Sequence, residues 1–496
     1  MTGIPFQNIP STLRTPLFYA ELDASKANTN PLPQRALLIG QKLAAGTLAA
    51  NVPVIAQSVI NASAAAGAGS ILAGMMRAYR ENDADGELWV LPLADDPNAA
   101  AAAGSITFNG STAAPGTLAL YVGGKLVSIP LASGQTAAQV AATVAAAIAA
   151  QPDLVVSAVA TGGAVALTAK NGGLCGNDID VRINYLGTAG GEVTPAGLGV
   201  AIASMANGAV NPSLTTALAN LNDTPFDFIC CSLTDAVSMA AIAGLLSDTA
   251  PGRWSWQTQV YGHCFIAVRG SAGTLAAYAT ALNNQHVSCI GYADSPTPPW
   301  RWAAALAGAA AVSLRADPGV PLQLVTLAGV KAPPLASRFS LPIRNATLLY
   351  GGVTTWTADA TNTVTLENVI TTYVTNPQGQ ADDSYLQIET LFLLMFVLRR
   401  LRGVVQEKFG RVKLAADGVR LQPGSNVVTP STIRAELIAQ YRELEAEGMV
   451  QGSDAFAAGL VVQKSTTNPN RVDVLLPPTL INQLRVLAVL VQFRLQ

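Results

Sequence analysis

DFICCSL (residues 227–233), GHCFIAVRG (262–270) and HVSCIGYA (286–293) are three continuous apolar runs, separated by two helix-like stretches, Ala236–Leu246 and Thr274–Leu282. Runs that do not alternate with polar residues belong to strands covered on both faces, and strands spaced by helices argue for a parallel, helix-covered sheet. The same grammar stands far upstream. RALLIG (35–40) is followed by an Ala/Gly-rich helical stretch through Ile71–Tyr79 and by ELWVLPL (87–93), one strand, helix, strand unit.

Between these halves, residues from about 104 to 205 read differently. SITFNG, TLALYVGG, KLVSIPL, AVALTA and IDVRINY are short alternating strands around one Ala-rich helix, Ala137–Ala150. They describe a small α+β domain inserted at a surface loop of the larger one. Downstream, PWRWAAALAGAAAVSLRA is a helix that ends at Asp317-Pro318-Gly319, and its small residues permit close backbone approach. Strands are then expected near Ala346–Tyr350 and Thr363–Leu366, a long helix over about Ser384–Phe409, and a helix over about Thr432–Glu447 closed by Gly448.

Two segments are apolar without an evident home. The first two dozen residues carry Phe6, Ile9, Leu13, Leu17, Phe18 and Tyr19 on a stretch broken by Pro5, Pro10 and Pro16, which cannot be helical and needs a surface to lie on. The last run, LRVLAVLVQFRLQ, is apolar on both faces, with Leu484, Val486, Ala488, Leu490 and Phe493 along it. Such a strand wants cover on two sides, as an ordinary central strand of its own subunit or as one donated to another.

The totals narrow the function. At roughly 150 residues per domain, 496 residues suggest about three domains. Half the residues are hydrophobic and only 12% are charged, against ~25% in ordinary globular chains, so burial in an assembly would relieve an undercharged surface. Lys plus Arg number 29 and Asp plus Glu 31, which leaves no basic excess for a phosphate backbone, so nucleic acid is not an expected direct partner. The opening residues lack a secretory signal, and the apolar run Leu391–Leu398 is far short of the ~20 residues of a bilayer span. The expectation is a protein made and kept in a cytoplasm, without membrane insertion.

No chemical motif emerges. His263 and His286 lie in no metal or hydrolase signature, and His263 and Cys264, adjacent on a strand, point to opposite faces. Cys175, Cys230, Cys231, Cys264 and Cys289 read as buried free thiols. Gly67, Gly69 and Gly74 do not form a dinucleotide fingerprint. Asp382 and Asp383, ahead of the long helix, read as complements of its N-terminal dipole. No catalytic, cofactor or metal site is expected. Arg399, Arg400, Arg402, Lys408, Arg411 and Lys413 cluster at that helix's far end, partly as dipole complement and partly as a face for an acidic partner.

PWRWAAALAGAAAVSLRADPGVPLQ (299–323), TLENVITTYVTNPQGQADDSYLQIET (365–390), PPTLINQLRVLAVLVQF (477–493) and the opening IPSTLRTPLFYAELDASKAN (9–28) resemble the tail sheath proteins of contractile phages related to Mu. The likeness departs at Asn368, where Arg is expected after Glu367. It implies an α/β plus α+β multidomain chain: an N-terminal arm (1–25), an outer parallel α/β domain (26–103 and 206–335) carrying the surface insertion (104–205), an inner C-terminal domain (336–483) and a C-terminal arm strand (484–496). It further implies a non-enzymatic subunit of stacked hexameric rings around a tail tube, contracting to drive the tube through the host envelope. Its partners would be other copies, the tube, the baseplate and the tail terminator, in a virion tail assembled in the host cytoplasm. The arms would add strands to neighbouring subunits and the basic cluster would face the tube. A pyocin-like or type VI secretion sheath carries the same physics, and a soluble α/β enzyme is the rival of a different class.

Overall fold

The computed structural model describes residues 34–420, 422 and 424–495. The expected N-terminal arm, with Phe6, Ile9, Leu13, Leu17, Phe18 and Tyr19, lies outside them. The described residues open with β1 (Ala36–Gln41), β2 (Val54–Ile55), α1 (Val59–Ala66), α2 (Ile71–Arg80) and β3 (Leu88–Leu93). Ser70 caps α2 by accepting from Ala73 N, and the helix buries Leu72, Met75, Met76 and Tyr79 on the sheet. Every residue of β1 is buried, as its unbroken apolar run requires.

The insertion follows as β4 (Ala101–Gly110), β5 (Gly116–Val122), β6 (Lys125–Leu131), α3 (Ala137–Ala149), β7 (Val156–Thr161), β8 (Ala164–Gly172), β9 (Val181–Ile183) and β10 (Leu198–Ala206). Its strands make two antiparallel sheets, ordered β10-β4-β8-β7 and β6-β5-β9. Thr136 and Gln139 form a reciprocal capping box that starts α3, whose Val140, Val144 and Ile148 face inward.

The large sheet resumes through α4 (Thr215–Ala219), β11 (Phe228–Cys231), α5 (Ala236–Leu245), β12 (His263–Arg269), α6 (Ala272–Leu282), β13 (Val287–Tyr292), α7 (Pro299–Ala316), α8 (Leu341–Ile343), β14 (Val353–Ala358) and β15 (Val364–Asn368). Its order is β15-β14-β13-β12-β11-β1-β3-β2. The interior pairings are parallel, while β2 and β15 join antiparallel at the two edges. The fold is thus mixed α/β with a parallel-dominated sheet and small antiparallel sheets. Pro299 opens α7, and Gly308 lets it lie against α2, because a Cβ there would stand 2.6 Å from Tyr79 O.

Two expectations are corrected in this region. Ala346–Tyr350 is not a strand: α8 runs on into a π-helical turn, Arg344–Leu349, that buries Leu348. Pro342, tolerated in the first turn of a helix, marks that start. The large sheet also extends past residue 335, because β14 pairs with β13 and β15 with β14. Glu367 beside Asn368 still finds a cation, since Arg344 Nε donates to it at 2.8 Å.

The remainder holds α9 (Ile388–Phe409), β16 (Lys413–Leu414), β17 (Val427–Val428), α10 (Pro430–Ala446), β18 (Val450–Gln451), α11 (Ser453–Gly459), β19 (Val461–Lys464), β20 (Val472–Leu475) and β21 (Thr479–Leu480). Val397 and Leu401 of α9 pack with Leu437, Tyr441 and Leu444 of α10 and Phe456 of α11 in a core of their own. Among the described residues no helix is long and apolar enough to cross a membrane.

Candidate assembly surfaces

In open α/β sheets, ligands bind outside the carboxyl ends of the strands where strand order reverses. Here that point lies beside β1, which has β3 on one side and β11 on the other. The insertion fills it. Gln41, wholly buried at the end of β1, donates to Asp95 at 2.6 Å and to Gly172 O at 2.7 Å. Asn171 donates to Asp95 and to Lys42 O, both at 3.0 Å, and accepts from Ile71 N at 3.1 Å. The Cys175 thiol meets Ser232 O just past β11, and Asn211 donates to Asp235, the cap of α5. The chain's own polar groups occupy the usual ligand position.

The titratable groups are equally committed. His263 Nε2 lies 2.9 Å from Ser288 Oγ, and burial, with His286 nearby, holds its pKa well below the ordinary value. Burial pushes the Cys231 and Cys289 thiols up to about 12 and Cys264 well above its ordinary value, so no thiolate stands ready beside His263. All five cysteines are buried and free. Among the described residues no group of three His, Cys, Asp or Glu side chains could hold a metal ion. Two open clefts of about 390 and 440 Å³ share Leu335, Arg338 and Ala358, and their cations are spent on Asn362 and Glu367.

Asp382 does not complement the long helix, which starts only at Ile388 with Glu389 in its first turn. Its carboxylate accepts from Ser384 N at 2.9 Å and from Tyr373 Oη at 2.7 Å, closing a turn.

The basic cluster is divided by the fold. Arg399 pairs with the buried Asp227, Arg400 reaches Glu447 at 3.1 Å, and Lys408 reaches Glu436 at 2.5 Å. These three fasten α9 to the sheet and to α10. Arg402 donates to Gln259 O at 3.4 Å and, like Arg411 and Lys413, is exposed and in no ion pair among the described residues. Asp227 escaped the sequence reading, although a lone acid opening a fully apolar strand run is a signal that a cation must meet it.

The terminal run forms no strand within its own subunit through Leu495. Leu484, Val486, Leu490 and Phe493 are 69%, 80%, 85% and 79% exposed, and Ala488 is exposed with them. An apolar row of this length in water is an unpartnered interface. The hairpin β19–β20 is a second one: its strands pair only with each other among the described residues, and Val461, Val474 and Leu475 are exposed.

Among solved structures, the chain is similar to the sheath tail protein Lin1278 from Listeria innocua, at 13% identity and a TM-score of 0.48 over 90% of this chain and 92% of that one. A chain of the anti-feeding prophage baseplate is similar at 12% identity and a TM-score of 0.49, over 97% and 100%. Residues 207–372 match the family model of the phage tail sheath protein central domain, and residues 380–494 that of the phage tail sheath C-terminal domain. The Mu-like prophage FluMu tail sheath protein of Haemophilus influenzae is 38% identical over 493 residues, 99% of each chain. The chain therefore belongs to the phage tail sheath family, in its Mu-like branch, as a structural, non-enzymatic protein of a contractile tail.

Proposed function

We propose that the chain polymerises as stacked hexameric rings around a tail tube in the virion tail and contracts to drive that tube through the host envelope. The observation that carries this reading is the apolar run from Val486 to Leu495, exposed in its own subunit and long enough to serve as a strand elsewhere. Each apolar side chain removed from water contributes about 1.5–3 kcal/mol, so donation to a neighbour supplies the free energy that a lone subunit lacks. The open hairpin β19–β20 is the acceptor, since strand addition supplies main-chain hydrogen bonds along an edge. Residues 1–25 act as a second donated arm. Ring-to-ring contacts that do not close give a filament, which can be held in a metastable extended form whose release drives contraction.

On this reading the domain of the large sheet lies outward with its insertion at the surface, and residues after about 372 line the tube. Arg402, Arg411 and Lys413 are the tube-facing cations, because charge contacts in a wet interface let go more readily than apolar ones. The baseplate and the tail terminator bound the two ends of the polymer, and assembly takes place in the host cytoplasm.

The test is deletion of Val486–Gln496. A folded protomer with cooperative melting but no tubes by negative-stain microscopy is the expected result. Intact tubes, or a collapsed melting temperature, would remove the arm from the mechanism.

A further inference from the structure

The terminal segment leaves the body at a single residue. Ile481 N still donates to Met449 O, and Leu484 O accepts from Gln323 Nε2 at 3.3 Å. Arg485 then turns inward, with Nη2 2.7 Å from Glu389 Oε1 and 3.0 Å from Gln387 Oε1. Its side chain is 15% exposed and that of Glu389 is 0% exposed. From Val486 onward every described residue is exposed. The same Oε1 accepts from Leu322 N at 2.7 Å, which ties the contact to the segment following α7 as well as to the first turn of α9.

This contact is incomplete in an informative way. Arg485 Nε and Nη1 and Glu389 Oε2 are buried and have no partner. A guanidinium and a carboxylate can meet through one bond or through two parallel ones. The fork can therefore turn about Glu389 from the single contact to the paired one without leaving it, and the turn gains bonds rather than losing them.

We propose that Arg485 is the pivot of the terminal arm: the Arg485–Glu389 pair holds the arm's root to the body while the segment beyond it changes direction between states of the assembly. The inference rests on the reading of Val486–Leu495 as a donated arm. A strand donated to a neighbour transmits motion only if its base is fixed. Without the pair, only the exposed 3.3 Å hydrogen bond from Gln323 to Leu484 O and, further back, the main-chain bond at Ile481 would hold the arm's root, and the segment between them would act as slack.

Limited trypsin digestion of the full chain tests this, because cleavage after Arg485 requires the root to leave Glu389, whereas Arg494 lies in the exposed segment and serves as an internal control. Cleavage of a transiently opened site follows the population of the open form. In the protomer, Glu389→Gln should raise the ratio of cuts after Arg485 to cuts after Arg494 by about tenfold, the loss expected for one charge-assisted bond. Arg485→Lys keeps the charge and the tryptic site but replaces the planar fork by a point charge, and should raise the same ratio less. It carries the test if Glu389→Gln does not fold. Unchanged ratios in the folded variants would overturn the pivot. Wild-type polymer separates this from the arm itself: Arg494 should become protected there, and failure of that protection with a protected Arg485 in the protomer would sink arm donation, leaving a root with nothing to move.

Discussion

Arg399, midway along α9, donates into the carboxylate of Asp227 at the foot of β11, and its guanidinium lies 5.6 Å from the centroid of the Tyr261 ring. Phe392, two turns earlier, stacks on Phe228 at 5.1 Å. Together they join the C-terminal helices to the large sheet. A residue that looked like part of a partner-binding face is thereby an internal fastener.

Removing one partner of a buried pair leaves the other charge uncompensated. Burial already raises the Asp227 pKa above its ordinary value despite Arg399, so the acid without that partner would be driven further towards its protonated form. Arg399→Ala should cost about 3 kcal/mol of protomer stability, and Arg402→Ala less than about 0.5 kcal/mol, by denaturant titration. Reversing Arg402, Arg411 and Lys413 together should weaken assembly on the tube at low salt and leave tube-free polymer intact. Equal stability losses for Arg399→Ala and Arg402→Ala would contradict the division of the cluster.

Asn171 ties the insertion to the switch point of the sheet. Asn171→Ala leaves the Ile71 N–H without its acceptor and Asp95 with fewer donors, and should cost about 1–3 kcal/mol. Val159→Ala, on an exposed position of β7, should be near neutral. Both variants should still form tubes if the insertion projects outward. A loss of polymer in a fully folded Asn171→Ala protein would place the insertion in the subunit contacts instead.

His263 makes the fold sensitive to acid. Its folded pKa is depressed, so the unfolded chain binds the proton more readily; its contribution is fully present above about pH 6.5 and is lost as pH falls. The loss should grow as pH falls from about 6.5 towards 5, because the unfolded chain takes up the proton first. His263→Gln can keep a bond to Ser288 without a titrating charge, and His286 remains in both proteins. Melting temperatures measured from pH 8 to pH 5 should fall more steeply in the wild type. Parallel curves would show that His263 is not the acid-sensitive group.

Periodicity along the chain decided much of this protein. The unbroken apolar runs at 228–231, 263–269 and 287–292 argue for strands covered on both sides, and the Ala/Gly-rich stretch after Pro299 for a helix that permits close approach. The absence of motif spacing around His263 and His286, and the apolar run after Arg485, were legible for the same reason: each is a property of neighbours in the chain. What the tertiary structure alone decided is which distant residue fills which place. Asp227 meets Arg399 across 172 positions, Gln41 meets Gly172 across 131, and Glu389 meets Arg485 across 96. Local pattern fixes the face on which a side chain emerges, whereas its partner depends on how the sheet orders its strands, so the basic residues of α9 looked alike in sequence and were divided only by packing.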